Sequence, residues 1–106
     1  MKTRTAAVHP LMIERVQTGV RMEKRLLKVL KALAEYHDMS LGDLLEGIVL
    51  HAFEGKAPFG EESRALITDF KRIYHLDLDA SASHRLVESR VASTAPARPR
   101  RSKKKE

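Results

Sequence analysis

The chain of 106 residues contains no cysteine. A disulfide framework and a zinc site with thiolate ligands are therefore excluded, and the absence suits the reducing cytosol. Long apolar runs are missing as well. None approaches the ~18 residues of a membrane-spanning helix, and the amino-terminal stretch has no signal-peptide core. From these absences we expect a soluble cytoplasmic protein that does not enter a membrane.

The patterns that mark catalytic and cofactor sites are also missing. The sequence has no Ser/His/Asp cluster in a recognisable context, no glycine-rich phosphate loop and no paired carboxylates placed for acid–base chemistry. Among its five histidines no two have the i, i+4 spacing that puts two metal ligands on one helix face. We therefore predict neither an enzyme, nor a cofactor, nor a metal site.

Basic residues are concentrated at the two ends of the chain, whose net charge is +6. Residues 1–22 have a net charge of +3 and residues 91–106 of +5, whereas residues 23–56 and 57–90 each have −1. Basic ends on a near-neutral middle favour a polyanionic partner, most commonly nucleic acid. The alternative is that these ends only keep the protein in solution.

Apolar residues at three- and four-residue spacings predict two helices in the middle of the chain. The first begins at Glu23 and ends near His37, where Asp38 can adopt a left-handed conformation. The second begins after Ser40, a predicted N-cap, and ends before the glycines and proline of EGKAPFG.

A third helix is predicted over Glu61–His75 from its apolar stripe. Asp79 or Ser81 could then begin one more short helix, ending at Val91. From Ala92 onwards small residues, prolines and a run of bases predict disorder.

Before the first helix, RVQTGVRM (residues 15–22) alternates with the period of two that is typical of a strand. One set of positions is Val16, Thr18, Val20 and Met22; the other is Arg15, Gln17, Gly19 and Arg21. A strand and two helices of roughly 40 residues bury too little surface to be stable alone. In a homodimer, two such strands could pair antiparallel across a two-fold axis. Each strand would then have a hydrogen-bonding partner, and the dimer would bury more surface than one chain.

This order of elements resembles the ribbon-helix-helix family of bacterial DNA-binding proteins, which includes the Arc and MetJ repressors. The resemblance rests on VRM, on LLKVLKALAE, and on the turn followed by MSLGDLLEGIV. It implies a mostly α fold in an intertwined homodimer: one N-terminal strand per chain forms the antiparallel ribbon, and this chain adds an extra C-terminal helix.

The resemblance also implies the DNA contacts. Gln17, Gly19 and Arg21 correspond to the base-reading positions, where Arg suits guanine and Gln suits adenine. The backbone around Ser40, Leu41 and Gly42 corresponds to the phosphate-binding start of the second helix. Arg15 is a further candidate for a phosphate contact. Gly19 departs from the family pattern because it offers no side chain at the middle reading position.

Two functions follow as hypotheses. The first is a sequence-selective, nucleoid-associated transcriptional regulator, a homodimer that inserts its ribbon in the major groove of double-stranded DNA. The alternative is an antitoxin-like module that binds a partner protein through residues 61–75. A helical bundle in which RVQTGVRM is a loop would remove the ribbon. On the first reading the chain divides into a flexible arm (1–12), a DNA-binding and dimerisation domain (13–55), a helical extension (56–91) and a disordered basic tail (92–106).

Overall fold

The computed structural model of the protein describes residues 10–89. The predicted arm lies almost entirely outside these residues, and the predicted basic tail lies wholly outside them. The described part contains three α-helices and a single-turn 3₁₀ helix, so the prediction of a mostly α protein is confirmed. In chain order they are α1 (Lys24–Tyr36), α2 (Leu41–Phe53), α3 (Glu61–Ile73) and the 3₁₀ turn Ala80–Ala82. None of the helices within residues 10–89 has the length and apolar character needed to cross a membrane.

The predicted strand over residues 15–22 is wrong, and so is the ribbon-helix-helix fold class built on it. Between residues 10 and 89 there is no β-strand, and residues 10–22 have no regular secondary structure and are almost entirely exposed. We call residues 10–22 the extended segment. A strand exists only where its N–H and C=O groups are paired with another strand. Within the described part of the chain no second extended segment lies beside residues 15–22, so their alternating pattern produces no sheet.

The three helices begin in different ways. The carboxylate of Glu23 caps α1 by accepting a hydrogen bond of 2.8 Å from the N–H of Leu26. Ser40 caps α2 as predicted, its Oγ accepting from the N–H of Asp43 at 3.1 Å. α3 has no side-chain cap at Gly60, and acidic residues in its first turn offset the helix dipole instead.

All three helices end in the same capping geometry. A residue with positive φ follows each C-cap: Asp38 (61°), Gly55 (71°) and His75 (60°). The N–H of the next residue then donates to the carbonyl five positions earlier, which is the longer bond of a Schellman motif. These bonds join Met39 to Ala34, Lys56 to His51 and Leu76 to Lys71. The left-handed conformation predicted for Asp38 is therefore confirmed.

The core of the described residues is small. Between residues 10 and 89, Leu33 on α1 is the only large side chain that is fully buried. Val29, Ala34, Leu44 and Leu76 are the other buried apolar residues. Around Leu33 and Leu44 pack half-buried side chains from all three helices and the α2–α3 loop: Leu30, Ile48, Phe59, Leu66, Ile67 and Phe70. Helix α1 is thus the central element, with α2 and α3 packed against it.

Polar contacts fix α1 to the chain around α3. Tyr36 Oη donates to Glu62 at 3.0 Å, and His37 Nε2 lies 3.0 Å from Ser63 Oγ. At the other end of α1, Arg25 Nη1 donates to the carbonyl of His75 at 2.9 Å and to Asp77 at 3.1 Å. Both ends of α1 are therefore tied to the C-terminal half of the described chain.

Candidate interaction surface

The extended segment 10–22 carries the predicted base-reading residues, and all three of them are exposed. Gly19 has an ordinary φ, and a Cβ added there would meet no atom within 4 Å. Neither backbone conformation nor packing within the chain requires glycine at this position. Gln17 and Arg21 flank it on a surface that is open to solvent.

Arg15 forms a bidentate ion pair with Glu46 on α2. Its Nε donates to Glu46 Oε2 at 2.9 Å and its Nη2 donates to Oε1 at 2.8 Å. The hydrogen bond from Arg15 lowers the pKa of the Glu46 carboxyl, and the same hydrogen bond raises the pKa of Arg15. Asp43, one turn earlier on α2, adds a weaker attraction for the guanidinium. The pair places the start of the extended segment beside the first two turns of α2.

Arg21 is paired with Glu88, near the end of the described chain. Its Nε donates to Glu88 Oε1 at 3.2 Å, and its Nη2 donates to Oε2. Both side chains are largely exposed, at 81% and 66%. Such exposed pairs contribute little to stability and exchange readily for other partners. Arg15 and Arg21 are thus each paired with an exposed carboxylate, which another anion can displace.

The start of α2 presents backbone donors next to this segment. Ser40 Oγ is used by the N–H of Asp43, while Leu41 and Gly42 come before the first N–H that bonds within the helix. Gly42 is exposed, and the nearest atom to a Cβ added there would be Ser40 Oγ, 4.0 Å away. The backbone is therefore accessible to an anion, although Asp43 already places one negative charge in this turn.

The outward face of α2 is apolar although it faces solvent. Val49, Leu50 and Phe53 are 43%, 65% and 82% exposed. The extended segment adds further exposed apolar side chains, namely Leu11, Met12, Ile13, Val16 and Val20. An α-helix that is apolar on its outward as well as its inward face is typical of an interior position. We call the exposed apolar residues of α2 and of the extended segment the apolar face.

The predicted partner-binding stripe of α3 is largely used inside the chain. Leu66, Ile67 and Phe70 pack against the core around Leu33. Tyr74 is half-buried and lies under Lys28, whose Nζ is 5.8 Å from the ring centroid. Only Ile73 remains more than half exposed, at 52%. This packing leaves little of the stripe free for a partner protein.

Sequence reasoning missed the acidic partners of the two arginines. Glu46 stands in the outward face of α2, between Gly42 and the apolar Val49 and Phe53, where an acid is out of place. An acid within a mostly apolar helix face was the available sign that a basic side chain pairs with Glu46. Glu88 offered no comparable signal. No group of three or more His, Asp or Glu side chains within residues 10–89 is arranged to hold a metal ion.

Neither the protein-family models, nor the curated proteins, nor the solved structures include one that matches this chain.

Proposed function

We propose that the protein is a homodimeric DNA-binding protein that regulates transcription. The observation that carries the proposal is the surface segment 10–22, which displays Arg15, Gln17 and Arg21 to solvent and is tied to the outward face of α2 by Arg15. The apolar face supports the dimer, and the basic residues support the DNA contact.

The second copy is the partner that fits the apolar face best. The described residues bury few side chains, so the folded chain needs a partner that covers more of its apolar surface. A second copy of the same chain is available wherever the protein is made. At a two-fold axis each residue near the axis meets its own equivalent, which suits apolar Val49, Leu50 and Phe53 and disfavours charges.

DNA is the polyanion that fits the charge distribution. The chain has a net charge of +6, and its described N-terminal segment presents two arginines on replaceable carboxylate partners. In the proposed complex, phosphates replace Glu46 and Glu88, and the exposed N–H groups at Leu41 and Gly42 bind a further phosphate. Gln17 provides an amide that suits the edge of adenine.

Selection of bound duplexes from a random DNA pool tests the function. We expect enrichment of a palindromic site, because a two-fold dimer binds two equal half-sites. The affinity for that site should fall steeply with salt, with a slope set by the number of phosphates contacted. Recovery of no enriched sequence, together with retention of the pool only at low salt, would overturn sequence-selective regulation.

A further inference from the structure

A cavity of about 340 Å³ lies between the three helices and the segment that follows α3. Its walls are mostly aliphatic and include Leu30, Leu33, Ile48, Ile67, Leu78 and Leu86. The space opens to solvent on one side, so it is a cleft and not an enclosed void. This space lies within the range of about 300–1,000 Å³ in which small-molecule pockets fall.

Among residues 10–89, the charged groups that line the cavity are Lys71 of α3 and Asp79 before the 3₁₀ turn. The Asp79 carboxylate is already used: its Oδ1 accepts from Ser81 N at 3.0 Å and from Ser81 Oγ at 2.6 Å. Those hydrogen bonds, more than the nearby Lys71, lower the pKa of Asp79. Within residues 10–89 the Lys71 ammonium donates no hydrogen bond and forms no direct ion pair. Lys71 is thus the charged group of the lining whose donors remain available.

We propose that this cavity binds a small amphipathic carboxylate, whose hydrocarbon part fills the aliphatic space and whose carboxylate pairs with Lys71. The apolar walls select a hydrocarbon, and the ammonium of Lys71, a half-buried residue of the lining, selects a single negative charge. The basic C-terminal residues of the chain are a poor occupant, since their lysines and arginines would meet Lys71 and an apolar wall. The proposal concerns a site away from the apolar face and does not depend on DNA binding.

Titration of the full-length protein with octanoate, followed by calorimetry and by amide shifts in NMR, tests the site. We expect saturable binding of one octanoate per chain, with the largest shifts at Leu30, Ile67 and Leu78. The neutral 1-octanol should bind the same residues more weakly. Lys71→Met should weaken octanoate about tenfold, as expected for a charge-assisted hydrogen bond, and leave octanol unchanged.

Two further variants complete the experiment. Arg72→Met makes the same change of charge one residue away, on the exposed side of α3, and should leave both ligands unaffected. Ala82→Phe, in the wall formed by the 3₁₀ turn, should fill the space and abolish binding of both ligands while the far-ultraviolet circular dichroism is retained.

Three results would overturn the proposal. The first is the absence of saturable octanoate binding, which is also the result expected if another part of the assembly occupies the cavity. The second is a set of shifts centred on the apolar face of α2. The third is an equal loss of affinity for octanoate and for octanol in Lys71→Met, which would show that Lys71 does not pair with the carboxylate.

Discussion

The guanidinium of Arg15 and the carboxylate of Glu46 form two parallel hydrogen bonds, of 2.9 and 2.8 Å, across 31 residues of sequence. This pair fastens the extended segment to the outward face of α2. It also sets up a competition, because the same guanidinium is a ligand for DNA phosphate in the proposed complex. An exposed pair of this kind is weak enough to be exchanged.

Glu46→Gln should therefore strengthen DNA binding. The substitution removes a negative charge and releases Arg15 for a phosphate. Arg15→Met should weaken binding and reduce the slope of log affinity against log salt by about two, since the dimer carries two copies of Arg15. Fluorescence anisotropy with a labelled duplex over a series of salt concentrations measures both effects. A slope unaltered by Arg15→Met would exclude a phosphate contact by this residue.

Phe53→Ser should dissociate the proposed dimer, and because folding depends on association the released chains should lose helical structure. The side chain is 82% exposed in the single chain, so polar substitution removes contact area with the second copy without removing a core residue. Sedimentation velocity measures the change in mass. Val87→Ser is the matched control, since Val87 is 90% exposed but lies outside the apolar face, and it should not alter the mass. A wild-type protein that sediments as a monomer at every concentration tested would contradict the proposed dimer.

Ser40 allows the capping role to be separated from phosphate binding. Ser40→Ala removes the acceptor for Asp43 N–H and should lower the free energy of unfolding by about 1 kcal/mol. Ser40→Asp keeps a good N-cap but adds a negative charge where the phosphate is proposed to bind. We expect Ser40→Asp to retain stability and to lose DNA affinity, as measured by urea unfolding and anisotropy. Unchanged affinity in Ser40→Asp would place the phosphates elsewhere.

The cap at Glu23 makes part of the stability depend on pH. Burial of its carboxyl opposes ionisation, but hydrogen bonds from Leu26 N–H and from Arg25 outweigh it and lower the pKa below the ordinary 4.5. A lowered folded-state pKa stabilises the protein above 4.5, and this contribution is lost as pH falls through the folded value.

Urea unfolding between about pH 7 and pH 3 measures that dependence. The stability difference between wild type and Glu23→Gln should be largest near neutral pH and should shrink below about 4.5. Glu35→Gln, on the exposed side of the same helix, makes the same charge change without removing a cap. If the free energies of unfolding of the wild type and Glu23→Gln differ by the same amount at every pH, the Glu23 cap is not ionised.

His75→Gly should stabilise the end of α3. His75 has a φ of 60°, a conformation that is strained by about 1 kcal/mol for a residue with a Cβ. Its contact with Arg25 uses the backbone carbonyl, which glycine retains. Gly55→Ala, at the equivalent position after α2, should destabilise for the same reason. Thermal unfolding measures the change in melting temperature of each variant. A change in the same direction for His75→Gly and Gly55→Ala would contradict this account.

The helices could be predicted because their signals are local. The apolar spacing, the cap at Ser40 and the left-handed Asp38 each depend on residues within about one turn of one another. The predicted end of α3 at His75 lies two residues beyond the observed Ile73, because His75 takes the positive-φ position after the C-cap that glycine more often occupies. The proposed short helix after Asp79 is only the turn Ala80–Ala82.

The strand, the ion pairs and the cavity depend on residues that are distant in sequence. Alternation over residues 15–22 shows which side chains share a side, but pairing decides whether a strand forms. Arg15 and Glu46 meet only because the segment runs along α2. The cavity is created by the return of Leu76–Leu86 across the helices, which no local pattern encodes.

The small core has a consequence for how the protein responds to its own abundance. With one large side chain fully buried in the described part, much of the apolar burial in the proposed dimer comes from association, so folding and assembly form a single equilibrium. The melting temperature should then rise with protein concentration by mass action. On the proposed function, the regulator would be lost by unfolding once its synthesis stopped, because dilution alone shifts the population of such a dimer towards the unfolded chain.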